Sequence, residues 1–240
     1  MKHYYRLFVF LILSSMLFSA CSKSNNEINT GVKENQDSSK VYGSANFSYM
    51  DSLDTYQMGY NVARDSAYKA ENIKELEKQS LLIKNNPETP GPYLDRGNHY
   101  QNIQMYKEAI DDYNLYIQKV PNNYSAYLNR GTAYEQLKQY ELALTDYAKV
   151  LELKPDDTIS NFNRGIVFDA LGKPDEAVKE YSKVIGKDSL LAKAYLNRGL
   201  SQEKLKNYEF AIMDLSKALG LNPKYGEKLK QKIEYLNRKK

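Results

Sequence analysis

The sequence predicts an all-α fold, a solenoid of helix–turn–helix units, and three observations predict it. The phrase YLNRG at residues 127–131 returns letter for letter at 195–199, with YLDRG at 93–97 and NFNRG at 161–165 as near copies. The glycines of the four phrases, Gly97, Gly131, Gly165 and Gly199, each stand 34 residues after the last. Twelve places after each glycine comes a second small residue, Ala109, Ala143, Ala177 and Ala211. Self-similarity at this period marks an architecture whose units bury their apolar faces on one another.

The chain opens with a segment outside that pattern. Lys2 and Arg6 precede the apolar run LFVFLILSSMLF, and FSAC closes it. The run is shorter than the roughly 20 apolar residues a bilayer span needs, so residues 1–20 read as a secretory signal. Phe18 is too bulky for the −3 position of an ordinary cleavage site, and Cys21 is the sole cysteine of the protein. LFSAC resembles the lipobox of bacterial lipoproteins, although Leu is commoner than Phe at −3. The resemblance implies that Cys21 is lipidated and becomes the N-terminus, anchoring the protein to a membrane without spanning it. The alternative is an incidental cysteine beside a plain signal. A cysteine-free remainder favours the lipoprotein, since no disulfide framework is available.

Residues 21–49 carry the lipidated end and a tether rich in Ser, Asn, Lys and Gly, with no apolar period. Such a composition buries too little surface to offset its ordering entropy, and 28 residues of random coil reach ~30 Å. Residues 50–89 keep Leu76, Ile83 and Pro87 in the repeat register but place Glu75 where alanine belongs. They read as a degenerate helical first repeat.

Residues 90–225 divide on the glycines into four units: 90–123, 124–157, 158–191 and 192–225. Within each, positions 4, 8 and 11 share one face of a first helix, and positions 20, 24 and 27 one face of a second. Glycine at 8 and alanine at 20 let the helices approach, and tyrosine at 4, 11 and 24 fills the space beside them. A buried ring whose hydroxyl reaches water suits such thin layers, which accounts for much of a composition with 22 tyrosines and no tryptophan. Pro121, Pro155 and Pro223 stop three second helices, while Ser189 stands in the third unit. There LGKPDEA is expected to replace the usual tight corner, with Pro174 as the first helical residue. Period and residue types together resemble the tetratricopeptide repeat (TPR), and the resemblance implies a right-handed superhelix.

Residues 226–240 begin a fifth unit and do not finish it. Leu229, Ile233 and Leu236 take positions 4, 8 and 11, with Ile where glycine would admit a second helix. The remainder is mostly Lys, Glu and Gln, as a capping helix requires.

Position 7 holds Arg96, Arg130, Arg164 and Arg198, and sixteen residues later stand Asp112, Asp146, Glu180 and Asp214. The row is either a set of ligand-binding arginines or a structural ladder between helices. The helical step of ~100° aims it almost opposite the groove positions, which favours the ladder.

Catalytic and cofactor chemistry has little to stand on. His99 is the one histidine beyond the leading segment, at a packing position, and no phosphate-cradling glycine loop occurs. Asp111 and Asp112 diverge on a helix, and Asp156 and Asp157 fall in a loop. No enzyme activity, cofactor, metal or small-molecule substrate is expected. The formal charge of +4 falls to +2 without Lys2 and Arg6, too little to argue for nucleic acid. The mean hydropathy of −0.68 excludes a multi-span membrane protein.

The resemblance implies a concave groove that holds a peptide or partner helix, lined by positions 2, 5, 9, 12 and 13 of the first helices. The first unit supplies Leu94, Asn98 and Gln101, and the second Leu128, Thr132 and Glu135. The third supplies Phe162, Ile166 and Asp169, and the fourth Lys193, Leu196 and Leu200. The carboxylate clamp of the chaperone-tail-binding subgroup is not met, because Leu94, Ile159 and Asn163 stand where its cations belong. An apolar strip of Phe162, Ile166 and Leu200, edged by Lys193 and Lys204, suits an amphipathic segment; alternatively, neighbouring helices cover part of it. The function expected is a lipid-anchored scaffold of the cell envelope, facing the periplasm from the outer membrane because Ser22 follows the cysteine. The alternative is a glycan- or peptidoglycan-binding envelope lipoprotein, which the lack of tryptophan disfavours.

Overall fold

The computed structural model describes residues 58–240, with side chains from residue 66. The signal segment, Cys21, the tether and the first residues of the 50–89 segment lie outside the described residues. Among the described residues ten α-helices follow one another: α1 (Met58–Asn85), α2 (Gly91–Asn102), α3 (Tyr106–Lys119), α4 (Tyr124–Gln136), α5 (Tyr140–Leu153), α6 (Thr158–Ala170), α7 (Pro174–Lys187), α8 (Ala192–Lys204), α9 (Tyr208–Leu221) and α10 (Gly226–Asn237). Each packs on the next, and α2, α4, α6 and α8 also touch in series as a layer of first helices. This is an all-α solenoid.

The close approach inside each unit has a single origin. A Cβ built on Gly97 would lie 2.7 Å from the Tyr113 ring, on Gly131 2.8 Å from Tyr147, and on Gly165 2.5 Å from Tyr181. In the fourth unit the obstacle is Leu215 at 2.9 Å. The residue at position 24 therefore sits directly over the glycine at 8, and all four such side chains are buried. Ala109, Ala143, Ala177 and Ala211 are likewise fully buried.

The corners repeat as closely as the helices. Gln104, Lys138, Gly172 and Lys206 have φ between 59° and 70°, and all stand at position 15. The next amide in each case reaches back to the carbonyl of Tyr100, Tyr134, Phe168 or Gln202 at 2.8–2.9 Å. This is a Schellman closure, in which the left-handed residue turns the chain and the orphan carbonyls are satisfied. The third corner was expected to differ and does not: Gly172 supplies the same turn, and Pro174 follows as the first residue of α7. Three corners hold this conformation without glycine. The second helices end in register whether or not proline follows, with non-helical residues at Val120, Lys154, Asp188 and Asn222. The Asn123 and Asp157 side chains cap α4 and α6.

The degenerate first repeat takes the form of one unbroken helix, not a pair. The 28 residues of α1 hold neither Pro nor Gly after Gly59, so nothing makes a corner. Its second half nonetheless stands where a second helix belongs. Ser80, at position 25, accepts from Arg96 Nη1 at 3.2 Å, as Asn114 accepts from Arg130 and Ser182 from Arg198. At the other end, Leu229 and Leu236 of α10 join Leu196, Leu215 and Ala218 in a closed cluster.

Candidate functional site

The arginines are occupied. Arg96 meets Asp112 with two bonds of 2.7 Å, Arg130 meets Asp146 at 2.8 and 2.6 Å, and Arg198 meets Asp214 at 2.7 and 2.8 Å. These are bidentate fork pairs, the geometry in which guanidinium and carboxylate bind most strongly. Aromatic rings cover the guanidinium groups, with Arg130 5.5 Å from the Tyr127 ring centroid and 5.8 Å from that of Tyr134. The third rung is looser. Arg164 Nη2 stands 3.5 Å from Glu180 Oε1, and Arg164 Nε and Glu180 Oε2 are buried without partners. Two substitutions account for it: glutamate is one methylene too long for the fork, and Ala148 replaces the polar residue at position 25. The row is a structural ladder between helices.

His99 is structural too. Its Nδ1 lies 2.9 Å from Asn72 Oδ1, which also accepts from Asn102 Nδ2 at 3.0 Å, joining α2 to α1. Among the described residues, no group of three or more His, Cys, Asp and Glu is placed to hold a metal ion. No described helix is long and apolar enough to cross a membrane.

The face of the first helices differs from the apolar strip expected. Phe162 is 1% exposed and Ile166 7%, both in a cluster with Tyr181, Val184 and Ala194, and the Phe162 and Tyr181 ring centroids are 5.6 Å apart. Leu196, 4% exposed, belongs to the terminal cluster sealed by α10. These three side chains are core, because Ala194 of the next first helix and the residues of α10 close over them. Leu94, Leu128, Lys193 and Leu200 stay half-buried.

A polar row runs along this face instead, built on tyrosine hydroxyls. The Tyr113 hydroxyl lies 2.9 Å from Asn98 Oδ1 and 3.0 Å from Gln101 Oε1, and Asn129 Nδ2 donates to the same Asn98 oxygen at 2.8 Å. The Tyr147 hydroxyl donates to Glu135 Oε2 at 2.8 Å and stands 3.5 Å from Thr132 Oγ1, with the Asn163 side chain beside it. The Tyr181 hydroxyl donates to Asp169 Oδ2 at 3.2 Å, with the Asn197 side chain beside it. Ser201 Oγ and Lys204 Nζ complete the Asp169 shell at 2.7 Å each. Position 12 thus binds the tyrosine of its own unit, and position 6 reaches over from the next. Burial pushes all three phenols up, and it pushes Glu135 up to about 7. Sequence reasoning placed Asn98, Gln101, Thr132, Glu135 and Asp169 on this face but missed their tyrosine and asparagine partners. The signal was the asparagine in the repeated phrase, Asn129, Asn163 and Asn197.

Residues 124–157 and 192–225 match the sequence profile of the tetratricopeptide repeat. These two segments are tetratricopeptide repeats. Units 90–123 and 158–191 share the TPR glycine contact, corner and register described above. The fold is similar to that of MamA, with a TM-score of 0.63 and 21% identity over 68% of this chain and 96% of that one. MamA from Desulfovibrio magneticus RS-1 aligns at 0.62 with 18% identity, covering 72% of this chain and 98% of its own. YrrB, described as a TPR protein with an unusual peptide-binding site, aligns at 0.58 with 28% identity over 68% and 84% of the two chains. No curated protein matches the chain in sequence.

Proposed function

We propose that this chain is a lipid-anchored interaction scaffold of the bacterial cell envelope, holding a peptide or helix of a partner protein along the first-helix face of its repeats. The observation that carries the reading is the row of hydroxyl, amide and carboxyl groups at positions 9 and 12. It runs from Asn98 and Gln101 through Thr132 and Glu135 to Asp169, with half-buried Leu94, Leu128 and Leu200 beside it. Alternating hydrogen-bonding and apolar groups in one line suit an extended backbone or an amphipathic helix. TPR repeats generally serve as non-enzymatic scaffolds, and YrrB is a repeat protein with a peptide-binding site. The anchor rests on FSAC and the lone Cys21, and Ser22 after it supports the outer membrane.

Two experiments test the reading. Photo-crosslinking residues at Gln101 and Lys193 should trap a partner in living cells, and one at Glu108, exposed on α3, should not. Trapping from position 108 alone would reject the groove. Cys21→Ser should leave the signal uncleaved or release the protein from membranes. Membrane retention of a correctly processed Cys21→Ser chain would reject the anchor.

A further inference from the structure

The four residues at position 12 have unequal company. Gln101 is neutral. Asp169 receives Lys204 at 2.7 Å, and Glu203 receives Lys232 at 2.7 Å. Glu135 receives no cation among the described residues. Among the described residues its carboxylate takes one hydrogen bond, from the Tyr147 hydroxyl to Oε2, and the residue is 7% exposed. Its Oε1 takes no donor among the described residues and is not among the atoms sealed from solvent. A carboxylate so placed is under-compensated, because burial strips hydration without returning a counter-charge. The elevated pKa has the same cause: burial raises it, and only the tyrosine hydrogen bond acts against it.

A second, independent orphan faces the same hydroxyl. Asn163, 1% exposed, reaches Tyr147 from α6, and its Oδ1 is buried without a partner. Buried polar atoms are satisfied in the great majority of cases, so each exception needs a physical reason. In the flanking layers the demand is met from within the chain. Asn129 donates to Asn98, and Ser201 and Lys204 donate to Asp169. In the layer between the second and third units, among the described residues, neither Glu135 nor the Asn163 oxygen receives a cation.

We propose that the Glu135 carboxylate, with Asn163 enclosed behind it, is a subsite for a basic side chain of the bound partner, an arginine or lysine inserted between the second and third units. This deepens the groove reading and rests on it. Arginine fits better, since its planar fork matches the carboxylate edge, where an ammonium is a point donor. One such subsite midway along a row of otherwise satisfied groups fixes the register of the bound segment. Its position sets which residue of the partner must be basic.

The test probes the full chain in detergent with an array of octapeptides in which each position is scanned through all twenty residues. Wild type should select arginine or lysine at one position, and citrulline or norleucine there should weaken binding at least tenfold. Glu135→Gln should lose that preference while still binding the array, and Asp169→Asn should keep it. The Gln variant is expected to fold, because Gln101 already accepts from its tyrosine in the same way; the citrulline arm requires no protein variant at all. Hydrogen exchange locates the selected peptides. If they protect α4 and α6 but show no basic preference, or if the preference survives Glu135→Gln, the subsite is overturned and the groove stands. If no peptide is selected, or none protects those helices, the groove reading falls and the subsite with it.

Discussion

Gly165 and Tyr181 illustrate how much one position decides. The missing Cβ leaves a gap that the buried ring fills to within 2.5 Å of where that atom would be. The ring is fully enclosed and cannot retreat. Gly165→Ala should therefore destabilise by the roughly 1–3 kcal/mol typical of overpacking. Gly186 lies in a helix with nothing within 4 Å of a built Cβ, so Gly186→Ala should stabilise by up to about 0.5–1 kcal/mol. Opposite signs in denaturant melts are the expected result, and equal effects would contradict the packing. Glu135 makes the second prediction at this scale. Its folded pKa of about 7 lies above the ordinary glutamate value of 4.5, so the folded state holds the proton longer than the unfolded chain. Stability is then full below about pH 4.5 and declines as pH rises through 7. Glu135→Gln removes that decline. Its stability relative to wild type should rise by roughly 2–3 kcal/mol between pH 5 and pH 8, measured by melts at both. Raised carboxyls elsewhere, such as Asp112 and Asp146, cancel in the difference.

The ladder joins elements and is tested by coupling. Arg130 and Asp146 share two short bonds, with Asn114 of the preceding unit as a third contact. Arg130→Ala and Asp146→Ala should be non-additive by about 0.5–3 kcal/mol, and the same cycle on Arg164 and Glu180 should give less. The looser rung can also be repaired. Ala148→Asn with Glu180→Asp restores the residue types of the second unit and should raise the melting temperature. A repaired rung no more stable than wild type would mean that the 3.5 Å separation is not what distinguishes it. At the corners, φ of 59° at Lys138 is a left-handed conformation that side chains rarely adopt. Gly172 meets the same demand without that cost.

At the scale of the molecule, a solenoid is nearly one-dimensional, so each unit depends on its neighbours and the last on its cap. Leu229 and Leu236 seal the cluster around Leu196 and Leu215, and each buried leucine is worth about 1.5–3 kcal/mol. Truncation after Tyr225 should remove amide protection from α8 and α9 first, leaving α2–α5 close to wild type in hydrogen exchange. Uniform loss along the chain would show a cooperative block instead. The cap matters for the groove as well, since Lys232 of α10 neutralises Glu203.

The sequence by itself determined the architecture. A period of 34, glycine at position 8, alanine at 20 and an apolar stripe on the last helix are local facts, and helical geometry turns each into a face and a contact. The ladder was legible for the same reason, because a spacing of sixteen residues joins two faces of one unit. Exposure was not legible, since it depends on what the next unit brings across. Phe162 and Ile166 occupy groove positions by spacing, yet Ala194 and Tyr181 close over them. The third corner was misread because unlike residues, Lys138 and Gly172, can hold one backbone conformation. The unpaired state of Glu135 lay furthest from view. Its equivalents are compensated by Lys204, 35 residues beyond Asp169, and by Lys232 of the cap. Only the packing of successive units decides which carboxylate a distant lysine can reach.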